Sequence, residues 1–541
     1  MTPSGPVSAA PPPDGSPGYP EGYVIWQSNR LDAHHDIYRA RADGSEVTRL
    51  TTAGALLPIW APDGRWIAFH DDANTGYLMR PDGSELQTLS AGAPWFWLHD
   101  NSGLVVMLGG AINLYDVETQ ESRELISIGD FPQFTGASFG VNSITHDNRY
   151  LLLGSSLYMN GYTGTNGSFT SDFSAVIVDL LHKDRTYFLG SGCWPIAPPA
   201  GDLVYHVCAD CPTHPDLYRM NLADLATRSS YTAEVAHENA DWGHEYNPRV
   251  SNDNQWLAYM ASTGCHEGDC DYDIWLHQLG ADPSQRLRVT EDPGFDGYPQ
   301  LFVGPMWQKT TEPRLLLTPS RITFFASATA MPAAQTIKVK NSGGGTLGPV
   351  VVTSDPAAPW LDVVTDGVGR ITLSVRAEAV RRGVWPATVL VSVDGALGSP
   401  ASVPVTLKAD DTLPAADAGA PVSVAVDAGV PVDAAAIDAP TVDVAAVDGA
   451  VGVDAPVVIL VDVLDAPVEV LHQPVTVLPD AAADAAAKSG TGSKSGGCGC
   501  TLGGAPRAGA YRSLLCLALV ALGVGSRRRM RGPAGTRTGR S

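Results

Sequence analysis

The sequence predicts an all-β chain: a six-bladed β-propeller, then an Ig-like β-sandwich, a disordered stalk and a short C-terminal transmembrane helix. Three observations predict it. The stretch Trp60 to Phe69 (WAPDGRWIAF) followed by Tyr77 to Leu89 (YLMRPDGSELQTL) reads as two pairs of short apolar strands, each pair joined by an Asp-Gly turn. Gly reaches the positive φ that such a turn needs. The same pattern recurs along the chain at a spacing of roughly 35 to 50 residues, the period of propeller blades. Beyond residue 313 the period is lost and short β segments alternate with Gly/Ser/Pro turns, as in a sandwich.

The repeat is clearest at the end of each second strand: Val24 to Trp26, Ile67 to Phe69, Val105 to Met107, Leu151 to Leu153, Leu203 to Tyr205 and Leu257 to Tyr259. The turn before it is Pro62-Asp63-Gly64 in one unit and becomes His146-Asp147-Asn148 and Asn252-Asp253-Asn254 in others. Asp and Asn also tolerate turn conformations. Third strands start at Asp36, Asn113, Asp216 and Asp273. One four-stranded sheet cannot bury both faces, whereas several around an axis can. The first unit lacks a first strand, and a lone candidate, Tyr298 to Gly304, follows the sixth unit. Placed in the first blade, it closes the ring and leaves no open edge. Seven blades stay open as an alternative, because the third and fourth units are weak and Ile126 to Val141 is unassigned.

The expected organisation is a disordered leader at 1–21, a propeller at 22–312, a sandwich at 313–408, an acidic linker at 409–497 and a tail at 498–541. The linker is rich in Ala, Val, Pro and Asp, with no Lys or Arg from Asp410 to Ala487, so its carboxylates repel and keep it extended. The net charge of −23 argues against nucleic acid as a partner. The leader has no basic start and no apolar run, and so is no secretory signal. The tail nevertheless calls for export, which places the true signal upstream of this start.

These motifs resemble known families. The repeat over 22–304 is similar to the TolB-type propeller repeat. The segment opening LTPSRITF and closing VPVTL, with Pro359-Trp360-Leu361 and Arg382 to Trp385 between, resembles the BACON family of Ig-like domains. That resemblance implies carbohydrate or mucin binding; Trp360 is read either as a sugar-stacking face or as a core plug. The end resembles the MYXO-CTERM sorting signal: Cys498-Gly499-Cys500, an apolar run from Leu514 to Val524 and an Arg cluster from Arg527 to Arg531. The apolar run reaches only about 17 Å as a helix, short of a ~30 Å hydrocarbon core. The resemblance implies removal of the tail and anchoring at Cys498 or Cys500 on the outer surface of a Gram-negative cell. A tail-anchored inner-membrane protein is the alternative.

Chemistry is sparse. Cys208, Cys211, Cys265 and Cys270 fall in matching loops of successive units and read as disulfides in an exported protein, with zinc as the rival. Gly136 to Gly140 matches G-x-S-x-G but lacks the strand-to-helix context of a nucleophile elbow. Alternating Asp269, Asp271 and Asp273 lack the Gly of an EF-hand loop, and Asp273 matches Asp36 as a structural residue. No catalytic residue and no cofactor is assigned. His70, His206, His237 and His244 are candidates for a divalent metal at the propeller mouth, as in propeller-type oligogalacturonide lyases. The aromatic residues Trp95, Trp97, Trp194, Trp242 and Tyr246 are candidates for peptide or glycan contact, with packing between blades as the alternative. The expected function is therefore binding or scaffolding of a protein or glycan at a membrane-anchored surface protein. An extracellular metal-dependent lyase or hydrolase, and a periplasmic envelope partner of TolB type, are the competing readings.

Overall fold

The computed structural model describes residues 18–410, apart from 32–33, 109–110, 128–129, 131–139, 155–162, 169–173, 209–216, 229–231, 236–242, 264–270, 283, 356 and 368. The described residues are all-β with two short 3-10 turns, at Leu222–Asp224 and Ala377–Ala379.

The first half is a succession of small antiparallel sheets. Leu56–Trp60, Ile67–His70, Gly76–Met79 and Gln87–Thr88 form one, and Ala93–Trp97, Leu104–Leu108, Ala111–Tyr115 and Ser122–Ser127 the next. A seven-stranded sheet follows, from Gly140–Ile144 to Thr232–Val235. Its central strand, Thr186–Ile196, serves two sets of neighbours: Thr186 to Ser191 pair with Ser174–Asp179, and Gly192 to Ile196 with Leu203–Cys208. Gly243–Val250, Trp256–Thr263, Tyr272–Gln278 and Leu287–Arg288 make a further sheet.

The chain's first strand, Gly22–Ser28, pairs on one side with Asp36–Arg41 and on the other with Asp296–Val303. The segment read as a missing first strand therefore does sit beside the first unit. The strands that begin each group touch in a closed cycle: Asp296–Val303, Leu56–Trp60, Ala93–Trp97, Gly140–Ile144, Thr186–Ile196, Gly243–Val250 and back. Apolar clusters lie between successive groups. Ile25, Ile67 and Phe302 share one, Ala68, Leu104 and Tyr115 the next, Val105, Leu151 and Val178 a third. Each sheet buries both faces against its neighbours, which gives a propeller-like all-β fold.

The turns between first and second strands repeat one design. Gly64, Asn101, Asn148 and Asn254 all take positive φ, between 60° and 70°. Their amides donate to the carbonyls of Ala61, Leu98, Thr145 and Ser251. The preceding Asp caps the turn by accepting from the amide two residues on, as Asp63 does from Arg65 and Asp147 from Arg149. At Gly64 no other residue fits, since an added Cβ would lie 2.3 Å from the Phe302 ring.

A second repeat fastens the outer strands. Asp36 accepts from the Arg49 guanidinium and the Thr51 hydroxyl, and Thr51 Oγ1 accepts from Ile37 N at 2.9 Å. Asp273 does the same with Arg288 and Thr290, whose Oγ1 accepts from Ile274 N at 2.9 Å. Asp273 is thus held as a structural residue, as its match to Asp36 suggests.

Residues 315–409 form two four-stranded sheets that share one core. Leu315–Thr318, Gln335–Asn341, Arg370–Val375 and Leu361–Thr365 make the first; Ile322–Ala326, Ala401–Ala409, Gly383–Val393 and Val350–Ser354 make the second. Val350–Ser354 was not picked out from sequence, because its side chains alternate between half-buried and exposed without a strong apolar stripe. Trp360 is 3% exposed and belongs to the core, so it plugs the sandwich and presents no sugar-stacking face.

Candidate functional site

The six strands nearest the axis share a device that only the fold makes visible. Each has a register shift at the same level. At four of these bulges a residue with positive φ precedes a proline: Leu57-Pro58, Trp194-Pro195, Asn247-Pro248 and Tyr298-Pro299. Proline has no N–H for the ladder, so it is tolerated where a bulge has already broken the pairing. The extra residue bends the strand where the sheets crowd together. In three of these strands the proline lies six residues before the positive-φ residue of the next turn, at Gly64, Gly201 and Asn254, which is a signal present in the sequence.

These bends surround an axial cavity of about 60 Å³, bounded by residues from all six inner strands, among them Trp60, Trp97, Asn142, Ile196, Arg249 and Gln300. The polar groups are fixed by neighbouring strands. Gln300 Oε1 accepts from the Trp60 amide, Asn142 Oδ1 from Gly154 N at 2.7 Å, and Ser143 Oγ from Ala197 N at 3.2 Å. Arg249 reaches across the axis, its Nη1 donating to Asn142 O at 3.2 Å. Burial pushes the Arg249 guanidinium down to about 10, with Tyr298 acting in the opposite direction. His99 also lines the cavity; burial first, then Arg321 and His146, push its imidazole down to about 4.

The aromatic candidates lie mainly in packing. Trp97 is 8% exposed and Tyr246 is 5% exposed, the latter edge-on to Tyr272 with centroids 6.2 Å apart. Trp95 is half-buried against the core shared by the third and fourth groups. Trp194 is half-buried and edge-on to Tyr298 at 5.7 Å, so two bulge residues pack on each other. Trp242 lies outside the described residues.

Of the histidine candidates, His70 and His206 do not come together. His70 is buried with Nδ1 2.8 Å from Asp71 O, and His206 is fully buried with Nδ1 3.1 Å from Val207 O. Burial pushes both imidazoles down, His206 to about 4. The two stand in different sheets, the second and the fifth group. His244 is in the strand Gly243–Val250, and His237 lies outside the described residues. Among the described residues no group of three His, Cys, Asp or Glu is placed to hold a metal ion. Cys208 ends the strand Leu203–Cys208, while Cys211, Cys265 and Cys270 lie outside the described residues, as do the G-x-S-x-G serine, Cys498, Cys500 and the apolar run after them. Among the described residues no helix is long and apolar enough to cross a membrane.

One end of the sheets is engaged by the sandwich. Lys338 pairs with Asp116 at 2.9 Å, Lys340 with Glu118, and Lys408 with Asp147 at 2.7 Å. Ser320 N donates to Asp100 O at 2.8 Å and Arg321 Nη1 to Pro199 O at 2.6 Å. The connecting segment is pinned by Trp307, which stacks with Trp66 on either side of the Arg80 guanidinium at 4.1 and 3.6 Å. All these partners lie in or beside turns at one end of their strands, between first and second or third and fourth strands.

This is a propeller-like protein whose inner strands converge on a small cavity, lined mainly by apolar side chains with a few polar ones among them. No family model matches the chain, and no curated protein matches it. Among solved structures it is similar to an oligogalacturonate lyase in complex with manganese, at 12% identity, covering 66% of this chain and 99% of that one, with a TM-score of 0.28. It is also similar to oligogalacturonate lyase from Vibrio parahaemolyticus, at 12% identity, 66% and 100% coverage and a TM-score of 0.29. Likeness at this level carries no argument about activity.

Proposed function

We propose that this is an exported, surface-anchored binding or scaffolding protein: a six-bladed propeller of TolB type with a BACON-like, Ig-like sandwich, carried on an acidic stalk above a MYXO-CTERM-type tail. The carrying observation is the way the sandwich engages the propeller. Three lysines meet carboxylates of turns at one end of the sheets, and Arg321 and Ser320 add hydrogen bonds to Pro199 and Asp100. That end is committed within the chain. The protein or glycan ligand then takes the opposite end, where second strands pass to third strands. A ligand there meets several blades at once. The Cys, apolar and Arg-cluster order of the tail, after a stalk with no Lys or Arg from 410 to 487, supports anchoring with the propeller outermost.

The experiment is a screen of the full chain against polysaccharide and peptide panels, with and without added Mn²⁺. Saturable binding without product is expected. Metal-dependent cleavage lost in His237→Ala or His244→Ala overturns the binding reading in favour of a lyase or hydrolase.

A further inference from the structure

We propose that the axial cavity is a binding site for one small monovalent anion, a halide or the carboxylate of a small acid, with Arg249 as its counter-charge. The first argument is charge. Arg30, Arg49, Arg149 and Arg288 each meet a carboxylate. Arg249 has no carboxylate partner among the described residues; its hydrogen bond goes to a backbone carbonyl, and neither Asp nor Glu lines the cavity. Arg249 is half-buried, and a guanidinium partly withdrawn from water without a counter-charge carries a desolvation cost. An anion in the cavity removes that cost and adds charge-assisted hydrogen bonds.

The second argument is the hydrogen-bonding inventory. Gln300 and Asn142 both line the cavity, and in both the side-chain oxygen is already taken by a backbone amide, of Trp60 and of Gly154. What these amides have left to offer is N–H. One acceptor site of each side-chain oxygen is thus occupied, while the N–H donors stand beside the Arg249 guanidinium, a set that suits an anion.

The third argument is size. A cavity of about 60 Å³ exceeds the roughly 10–15 Å³ that a single water needs, so a chloride or formate is accommodated, while a six-carbon polyol acid is several times larger than either. The site lies where six strands converge, so its occupant touches strands distant in sequence and strengthens the ring as a whole.

The test is thermal unfolding of the full chain in sodium chloride, sodium formate and sodium gluconate at equal sodium concentration. A ligand that binds only the folded state raises Tm with its concentration. Chloride, formate or both are expected to raise Tm saturably above gluconate, and which of them acts distinguishes a halide from a carboxylate site. Arg249→Gln is expected to abolish the difference. Equal Tm in the three salts, or a difference that survives Arg249→Gln, overturns the proposal. Should that variant not fold, ³⁵Cl line broadening on the unaltered protein decides. Broadening displaced by formate but not by gluconate supports the site, and no broadening above a bulk-salt control, together with no formate effect on Tm, overturns it.

Discussion

Removing the Arg30 guanidinium should open the ring where its first and last strands meet. Asp296 begins the last inner strand and is 1% exposed. Its carboxylate accepts from Trp26 Nε1 at 3.2 Å and pairs with Arg30 Nη2 at 2.6 Å. Arg30 also reaches Asp292 at 2.6 Å and lies over the rings of Trp26 and Tyr38, 5.3 and 5.0 Å from their centroids. Removing one partner of a buried pair costs about 3–5 kcal/mol, because the remaining charge is left without its counter-ion. The cation–π contacts add about 0.5–2 kcal/mol. Asp292 is mostly exposed and contributes little. We expect Arg30→Ala to lower stability by about 4 kcal/mol in equilibrium urea unfolding followed by tryptophan fluorescence.

The penalty should depend on pH. Burial already raises the Asp296 carboxyl, and Arg30 is the first influence holding it down. Without Arg30 its folded pKa rises further above the unfolded value of about 3.9. A carboxyl raised in the folded state keeps its proton where the unfolded chain has lost it, so stability falls as pH rises from the unfolded to the folded pKa. The deficit of Arg30→Ala should therefore be smaller at pH 5 than at pH 7.5, and Asp296→Asn in the same chain should recover part of it. A deficit below about 1 kcal/mol, or one that is equal at both pH values, would refute the latch.

Other outcomes follow from the same reasoning. His206 is held near 4 in the folded protein against about 6.5 unfolded, so the unfolded state binds the extra proton between those values and stability is lost as pH falls through that window. The loss approaches about 3 kcal/mol below pH 4, and His206→Phe should flatten that part of the stability–pH profile measured by urea titration. Gly64→Ala places a Cβ 2.3 Å from the Phe302 ring at a φ of +70° and should cost about 2–4 kcal/mol by thermal unfolding. Gly201→Ala, with φ of +86° and nothing within 4 Å, should cost only about 1 kcal/mol.

The local chemistry of the chain was enough to determine the strand repeat. An Asp-Gly or Asp-Asn step between apolar triplets specifies a turn and its two strands from neighbouring residues alone. The orphan segment at Tyr298 was legible for a related reason, since an unpaired edge demands a partner. The sandwich showed as a change of turn spacing, except for Val350–Ser354, where no apolar stripe marks the strand. The site was not legible. Trp97 and Tyr246 read as surface aromatics because sequence shows a ring but not which side of a sheet meets another sheet. His70 and His206 recur in register, yet the fold sets them in separate sheets, each against a backbone carbonyl. Arg249 passed as an ordinary arginine in a strand. Only closure of the ring carries it to the axis beside Asn142, 107 positions away in sequence, where it has no carboxylate partner among the described residues. Turn and strand preferences are decided within a few residues, whereas burial and charge balance belong to groups that meet only when the chain's two ends do.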